Sequence, residues 1–132
     1  MIVTGPISAL KRHAQKINEK NLENYKETMI FPFTYQNYNG VALTIEKPED
    51  CGISAPPPWD IILKTDPNWS HTVLDEIQEI ARSNSSAAFK VTFRRIDKDK
   101  MASECYQAIW IAVLKGNKWG IQFRHNLGTI NQ

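Results

Sequence analysis

The side chains that could do chemistry are few and gather towards one end of the sequence. Arg95, Glu104, Tyr106 and His125 fall within a stretch otherwise rich in Val, Ile, Phe and Trp. A guanidinium recognises a carboxylate or enolate oxygen, a phenol donates to a carbonyl, and an imidazole exchanges a proton near neutral pH. His125 and Tyr106 are therefore the candidates for catalysis, His125 being either a general base or a hydrogen-bonded structural histidine. His71 follows Trp69 and reads as a strand cap or a ligand contact. His13 flanks an apolar helical stripe and reads as structural or exposed. Glu104 is either a pocket carboxylate or the ion-pair partner of Arg95. The three histidines show no HxxxH or carboxylate spacing, so no metal site and no cofactor is expected. Cys51 and Cys105 lie far apart and read as free thiols, the expectation for a reducing cytoplasm.

These groups are positioned by strands. From Ala87 to Leu127 the chain reads as three long strands joined by turns at Asp97-Lys98-Asp99-Lys100 and Lys115-Gly116-Asn117-Lys118. A two-residue turn at Gly116-Asn117 sets Leu114 opposite Trp119, Ala112 opposite Ile121, Trp110 opposite Phe123 and Ala108 opposite His125. Across the other turn Val91 falls opposite Tyr106, with Arg95 near Ala102 and Glu104. Opposed residues share a face and faces alternate with period two. One face thus collects Phe89, Val91, Phe93, Trp110, Ala112, Leu114, Trp119, Ile121, Phe123 and Leu127, with the polar groups at one end. The other collects Lys90, Thr92, Arg94, Gln107, Gln122, Arg124 and Asn126 with Ile109, Ile111 and Val113. The first is a core face. The second is a solvated face or, since its isoleucines form a ridge, a homodimer interface in which Gln122 and Arg124 hydrogen-bond across a two-fold.

The first half is helical in texture. Ile7, Leu10, Ala14 and Ile17 recur at helical spacing, so residues 6–18 form an amphipathic helix with Pro6 in its first turn. A short helix over residues 21–28 carries Leu22, Tyr25 and Met29 inward. Residues 30–35 are extended, Gly40 precedes a strand over 41–46, and Pro56-Pro57-Pro58 introduces a helix over 59–64.

At 132 residues and 42% hydrophobic composition the chain fits one domain with a substantial core. Its 16 basic and 14 acidic residues are interspersed and leave a net charge of +2, which argues against nucleic-acid binding. No segment approaches the run of about 20 apolar residues that spans a bilayer, and Met1 to Pro6 run directly into a polar helix pattern without an apolar signal core.

The order of elements and several short motifs resemble the nuclear transport factor 2-like superfamily, which includes the SnoaL-like polyketide cyclases and the ketosteroid isomerases. The motifs are Phe31-Pro32-Phe33, Trp69-Ser70-His71, Val91-Thr92-Phe93-Arg94-Arg95 and Trp119-Gly120-Ile121-Gln122-Phe123-Arg124, together with residues 18–25. They are most similar to a set of small bacterial members. Those members usually carry a His after the Phe-Pro pair, where this chain has Phe33. The resemblance implies an α+β fold of order ααββαββββ, with N-terminal helices packed on a strongly curved, mostly antiparallel sheet, a cystatin-like cone with a pocket at its open end. In residues 71–82 the periodicity of Val73, Leu74, Ile77, Ile80 and Ala81 fits a helix; the resemblance implies a strand, and the strand is adopted.

Two functional classes follow. One is a pocket for a small apolar or carboxylate-bearing ligand, with walls from Phe31, Phe33, Trp69, Trp110 and Phe123 and orientation by Arg95, Tyr106, His125 and His71. The other is a dimeric interaction module without a ligand. A SnoaL-like isomerase, cyclase or dehydratase remains an alternative to simple binding. A steroid-isomerase mechanism needs a buried carboxylate, and only Glu104 falls on the core face. Binding is expected before turnover.

Overall fold

Pro6 lacks the N–H that a first helical turn cannot use, and it opens α1 (Pro6–Glu19), which ends where Lys20 turns left-handed at φ 58°. Its buried stripe is Ala9, Leu10, His13 and Ile17. The Asn21 side chain caps the short α2 (Leu22–Lys26) by accepting from the Asn24 N–H at 3.1 Å. A hairpin of β1 (Met29–Asn37) and β2 (Ala42–Ile45) follows, then a single 3₁₀ turn at Pro48–Asp50 and α3 (Pro58–Thr65). Four long strands complete the chain: β3 (Trp69–Arg82), β4 (Ser86–Asp97), β5 (Tyr106–Lys115) and β6 (Lys118–Gly128). This computed structural model describes residues 5–132. The part of the N-terminal reading that falls on Met1 to Thr4 lies outside them.

The order is the expected ααββαββββ. The strands form one sheet in the order β2-β1-β6-β5-β4-β3, in which only the β1–β6 pair is parallel. The helices cover one face of it. Tyr25, Phe33, Trp59, Trp69, Phe89, Val91, Trp110, Trp119 and Ile121 pack together between the two layers.

Residues 71–82 are strand, and their helical periodicity has a structural cause. The β3–β4 register shifts between Leu74 and Glu76 and again between Glu79 and Ala81, so two bulges break the period of two. Apolar residues that keep to the inner face across bulges fall three and four apart. Leu74 and Ile77 do so, opposite Phe93 and Val91.

Two registers differ from expectation. On β4 and β5, Phe93 rather than Val91 lies opposite Tyr106. Asp97 closes the expected turn, accepting from Lys100 N–H at its carbonyl and from the Asp99 and Met101 N–H groups at Oδ1. The connection then runs on to Cys105, so it is longer than a tight hairpin. The shift is by two residues, and the faces survive.

The β5–β6 register changes the faces. Leu114 opposite Trp119 and Ala112 opposite Ile121 are as expected, but Ile111 then pairs with Phe123, Trp110 with Arg124, Ile109 with His125 and Ala108 with Asn126. Gln122 is the extra residue of a bulge. Beyond it every side chain of β6 changes sides. Arg124 and Asn126 join the core face, while Phe123 and His125 join Ile109 and Ile111 on the other. Leu127, expected in the core, is exposed.

Candidate functional site

A cavity of about 100 Å³ lies between the sheet and the helices. Its apolar walls are Ala14 and Ile17 of α1, Pro58, Ile61 and Ile62 of α3, and Leu74, Phe93, Ala108 and Trp110 of the sheet. Tyr35, Thr72, Arg95, Arg124 and Asn126 supply its polar groups. Among the described residues the cavity is thus lined by two arginines and by no aspartate or glutamate.

Arg124 is 5% exposed. Its guanidinium carbon stands 5.2 Å from the ring centre of Phe33, 5.4 Å from Tyr35, 5.8 Å from Tyr25 and 5.9 Å from Trp110. Such faces attract a cation, more strongly when water is excluded. Its Nη1 lies 3.0 Å from His13 Nε2, the Tyr25 hydroxyl is also within its hydrogen-bonding reach, and its buried Nε has no partner among the described residues. The ion pairs among the described residues are Lys16–Glu19, Lys26–Glu23, Arg82–Glu79 and Arg94–Asp75. None involves Arg124 or Arg95. A buried cation without a counter-ion is costly.

His13 is fully buried, with Nδ1 2.7 Å from Thr28 Oγ1, and the Thr28 hydroxyl donates to the Tyr25 carbonyl at 2.7 Å. Burial, and then the positive charges of Arg124 and Arg12, hold its imidazole well below the ordinary range. Burial likewise pushes the Tyr25 hydroxyl up, against the opposing pull of Arg124. Behind Arg124 a chamber of about 20 Å³ is bordered by Tyr25, Leu43 and Cys51. Burial raises the Cys51 thiol, which keeps it protonated and unreactive.

Arg95 guards the other end. Its guanidinium lies 4.5 Å over the Tyr106 ring, which stacks on Phe93 at 5.4 Å. Its Nε is buried and has no partner among the described residues. Thr72 is fixed at its backbone by Asn18, which donates to its carbonyl and accepts from its N–H, both at 2.8 Å. The Thr72 hydroxyl accepts from Trp69 Nε1 at 3.2 Å, so its own proton remains to be given. Asn126 Oδ1 accepts from the Gly128 N–H, which leaves that amide's capacity as a donor.

The expected site residues are therefore divided. Arg95, Tyr106 and Trp110 stand at the cavity or against its lining. Phe33 is in the core beside His13 and Arg124, and Trp69 is buried behind Thr72 with Lys20 Nζ 4.4 Å over its ring. Phe31 is half-buried, its carbonyl accepting from Lys115. His71 is exposed and bonded to Ser70 Oγ. His125 does not join Arg95 and Tyr106; it pairs with Gln36 Oε1 at 2.9 Å on the opposite face, where Phe123 also lies. Gln122 donates to the Pro32 carbonyl at 3.0 Å. Glu104 is exposed and forms no ion pair with Arg95. Arg124, expected on the outer face, is the central cation, and His13 is its partner. The sequence signal for His13 was its place on the α1 stripe, between Leu10 and Ile17. Among the described residues no group of His, Cys, Asp and Glu is gathered as a metal site.

No family profile matches the chain, and no curated protein matches it. Solved structures do. A putative calcium/calmodulin-dependent protein kinase type II association domain from Thiobacillus denitrificans superposes with a TM-score of 0.74 at 9% identity, over 97% of this chain and 98% of that one. A protein of unknown function with a cystatin-like fold from Nostoc punctiforme gives 0.69 at 11% identity, over 94% and 88%. Another cystatin-like protein, from Caulobacter vibrioides, gives 0.67 at 17% identity, over 93% and 86%. The fold is cystatin-like. At these identities the likeness is one of fold, and function has to be argued from the site.

Proposed function

We propose that the protein binds a small, largely apolar ligand bearing a carboxylate, and that the chain is a nuclear transport factor 2-like domain. One observation carries the ligand: among the described residues, both charged groups of a largely apolar cavity are arginines with a buried, unpartnered Nε, and no acid borders it. Thr72 and Asn126 add donors, which complement the same anion. Apolar walls with a few convergent polar groups are the usual form of a small-molecule site. A cavity of about 100 Å³ encloses a group somewhat smaller than benzene, which fits a cavity of about 150 Å³, and the rest of the ligand extends towards the mouth. Element order and the cystatin-like neighbours support the family reading.

Binding is favoured over turnover because the cavity lacks a free base. Both nitrogens of His13 are engaged, and no carboxylate lines the walls. Titration of ¹⁵N-labelled protein with benzoate and with benzyl alcohol tests the reading. Benzoate is expected to shift the amides of Thr72, Arg95, Trp110 and Arg124 and to bind at least about tenfold more tightly than the alcohol, a charge-assisted hydrogen bond being worth that much. Equal affinities, or shifts elsewhere, would overturn it.

A second reading concerns assembly. Ile109, Ile111, Val113 and Phe123 form a half-exposed apolar strip on the outer face of the sheet. We infer that a second copy covers it, giving a homodimer whose interface contains Gln122 and His125 rather than Arg124. That one neighbour is described as an association domain supports the reading. Light scattering should give a dimer at micromolar concentration and a monomer for Ile111→Glu; a monomeric wild-type protein would refute it.

A further inference from the structure

Arginine donates and never accepts, and this orders every proton in the chain behind Arg124. Nη1 of Arg124 lies 3.0 Å from Nε2 of His13, so Nε2 must offer its lone pair. The imidazole proton is then on Nδ1, which donates to Thr28 Oγ1 at 2.7 Å. The Thr28 hydroxyl in turn donates a hydrogen bond to the Tyr25 carbonyl, also at 2.7 Å. Each donor has one acceptor, and the chain ends on backbone. The other tautomer, or an imidazolium, would set two N–H groups against each other at Nε2.

We propose that His13 is a positioning residue for the cavity's cation: a neutral imidazole, protonated at Nδ1, that fixes Arg124 through Nε2 without cancelling its charge. The inference rests on the anion-binding reading above. An aspartate or glutamate in this place would hold the guanidinium equally well and would also neutralise it. A neutral acceptor gives the geometry and leaves the positive charge for a ligand. The surroundings of His13 suit that role. Tyr25 of α2 lies 5.1 Å away between ring centres, Trp110 of β5 5.4 Å and Phe33 of β1 6.2 Å. The charged groups acting on it are Arg124 of β6 and Arg12 of its own helix, both positive. All of these favour the uncharged ring.

The test separates the two ring nitrogens. His13→Gln sets a carbonyl oxygen near Nε2 and keeps an acceptor for Arg124. His13→Asn sets its amide near Nδ1, keeping a bond to Thr28 and losing the one to Arg124. Benzoate affinity is expected to stay within about threefold of wild type in the first variant and to fall at least about tenfold in the second. Equal losses would mean that His13 serves only the core. Two readouts need no ligand. Long-range ¹H–¹⁵N spectra should show His13 protonated at Nδ1 alone at neutral pH and still so at the ordinary imidazole midpoint of about pH 6.5. The Arg124 Nη protons should be resolved in wild type and H13Q and averaged by rotation in H13N. An Nε2–H tautomer, or averaging in wild type, would overturn the proposal. Wild-type protein that binds no benzoate but passes both spectral tests would overturn the ligand reading instead.

Discussion

Trp110 on β5 lies directly opposite Arg124 on β6, with the guanidinium carbon 5.9 Å from the indole ring centre. The pairing exists because Gln122 is inserted between Ile121, which faces Ala112, and Phe123, which faces Ile111. One extra residue turns a surface arginine into a buried one. The energy of that burial is shared with His13, and the first prediction follows.

His13→Leu leaves the buried cation without its acceptor and should cost about 2–3 kcal/mol. Arg124→Met removes the charge together with its desolvation penalty, which offsets the lone pair orphaned on His13, and should lie within about 1 kcal/mol of wild type. The double variant should then be more stable than His13→Leu alone, the reverse of additive damage. Urea unfolding of the four proteins measures the cycle. A double variant less stable than His13→Leu would show that the two side chains are not coupled in this way.

The buried imidazole also sets a pH dependence. Its folded-state value is held well below the ordinary one, chiefly by burial. The unfolded chain therefore takes up a proton first as pH falls, and stability present above the ordinary value of about 6.5 is lost below it. The contribution is about 1.4 kcal/mol per pH unit, continuing down to the folded-state value. His13→Gln has no such proton. The stability difference between wild type and His13→Gln should shrink with that slope as pH drops below about 6.5; parallel curves would mean that His13 titrates normally in the fold.

What could be read from the sequence follows from the same geometry. Element order and the apolar faces of β4 and β5 were legible because periodicity survives a register error of two residues. The helix-like spacing in residues 71–82 reflects bulges, which periodicity cannot register. At Gln122 nothing in the residue type marks an insertion, and alternation carried through it places Arg124 outside and His125 inside. His13 sat on the apolar stripe of α1, yet only the partner from β6, 111 residues away, gives it a role. The long-range pairing decided the site.

The inversion of β6 has a direct consequence for His125. It faces away from the cavity and bonds Gln36 on β1. His125→Ala should leave benzoate affinity within about twofold, since truncation of a half-exposed side chain remote from the ligand changes stability by only a few tenths of a kcal/mol. Arg124→Met should abolish measurable binding. Calorimetric titration of both distinguishes the two faces of the sheet, and a large loss in the His125 variant would put the site on the outer one.

Gly120 tests whether the packing under Thr28 matters to the cavity. A Cβ there would meet Ile30 Cγ1 at 2.9 Å and the Thr28 carbonyl oxygen at 3.1 Å. The second contact is with backbone, and that carbonyl already accepts from the Ile121 N–H at 2.9 Å, so the strand cannot simply move aside. Gly120→Ala should cost about 1–3 kcal/mol through overpacking. It should also weaken benzoate binding although Gly120 does not line the cavity, because a displaced Thr28 no longer anchors His13, and His13 then no longer holds Arg124. Gly116→Ala provides the control: nothing lies within 4 Å of its added methyl, and its cost comes from the left-handed backbone at φ 63° alone. It should lower stability and leave affinity unchanged. If Gly120→Ala did the same, the route from β6 through Thr28 and His13 to the guanidinium would not exist.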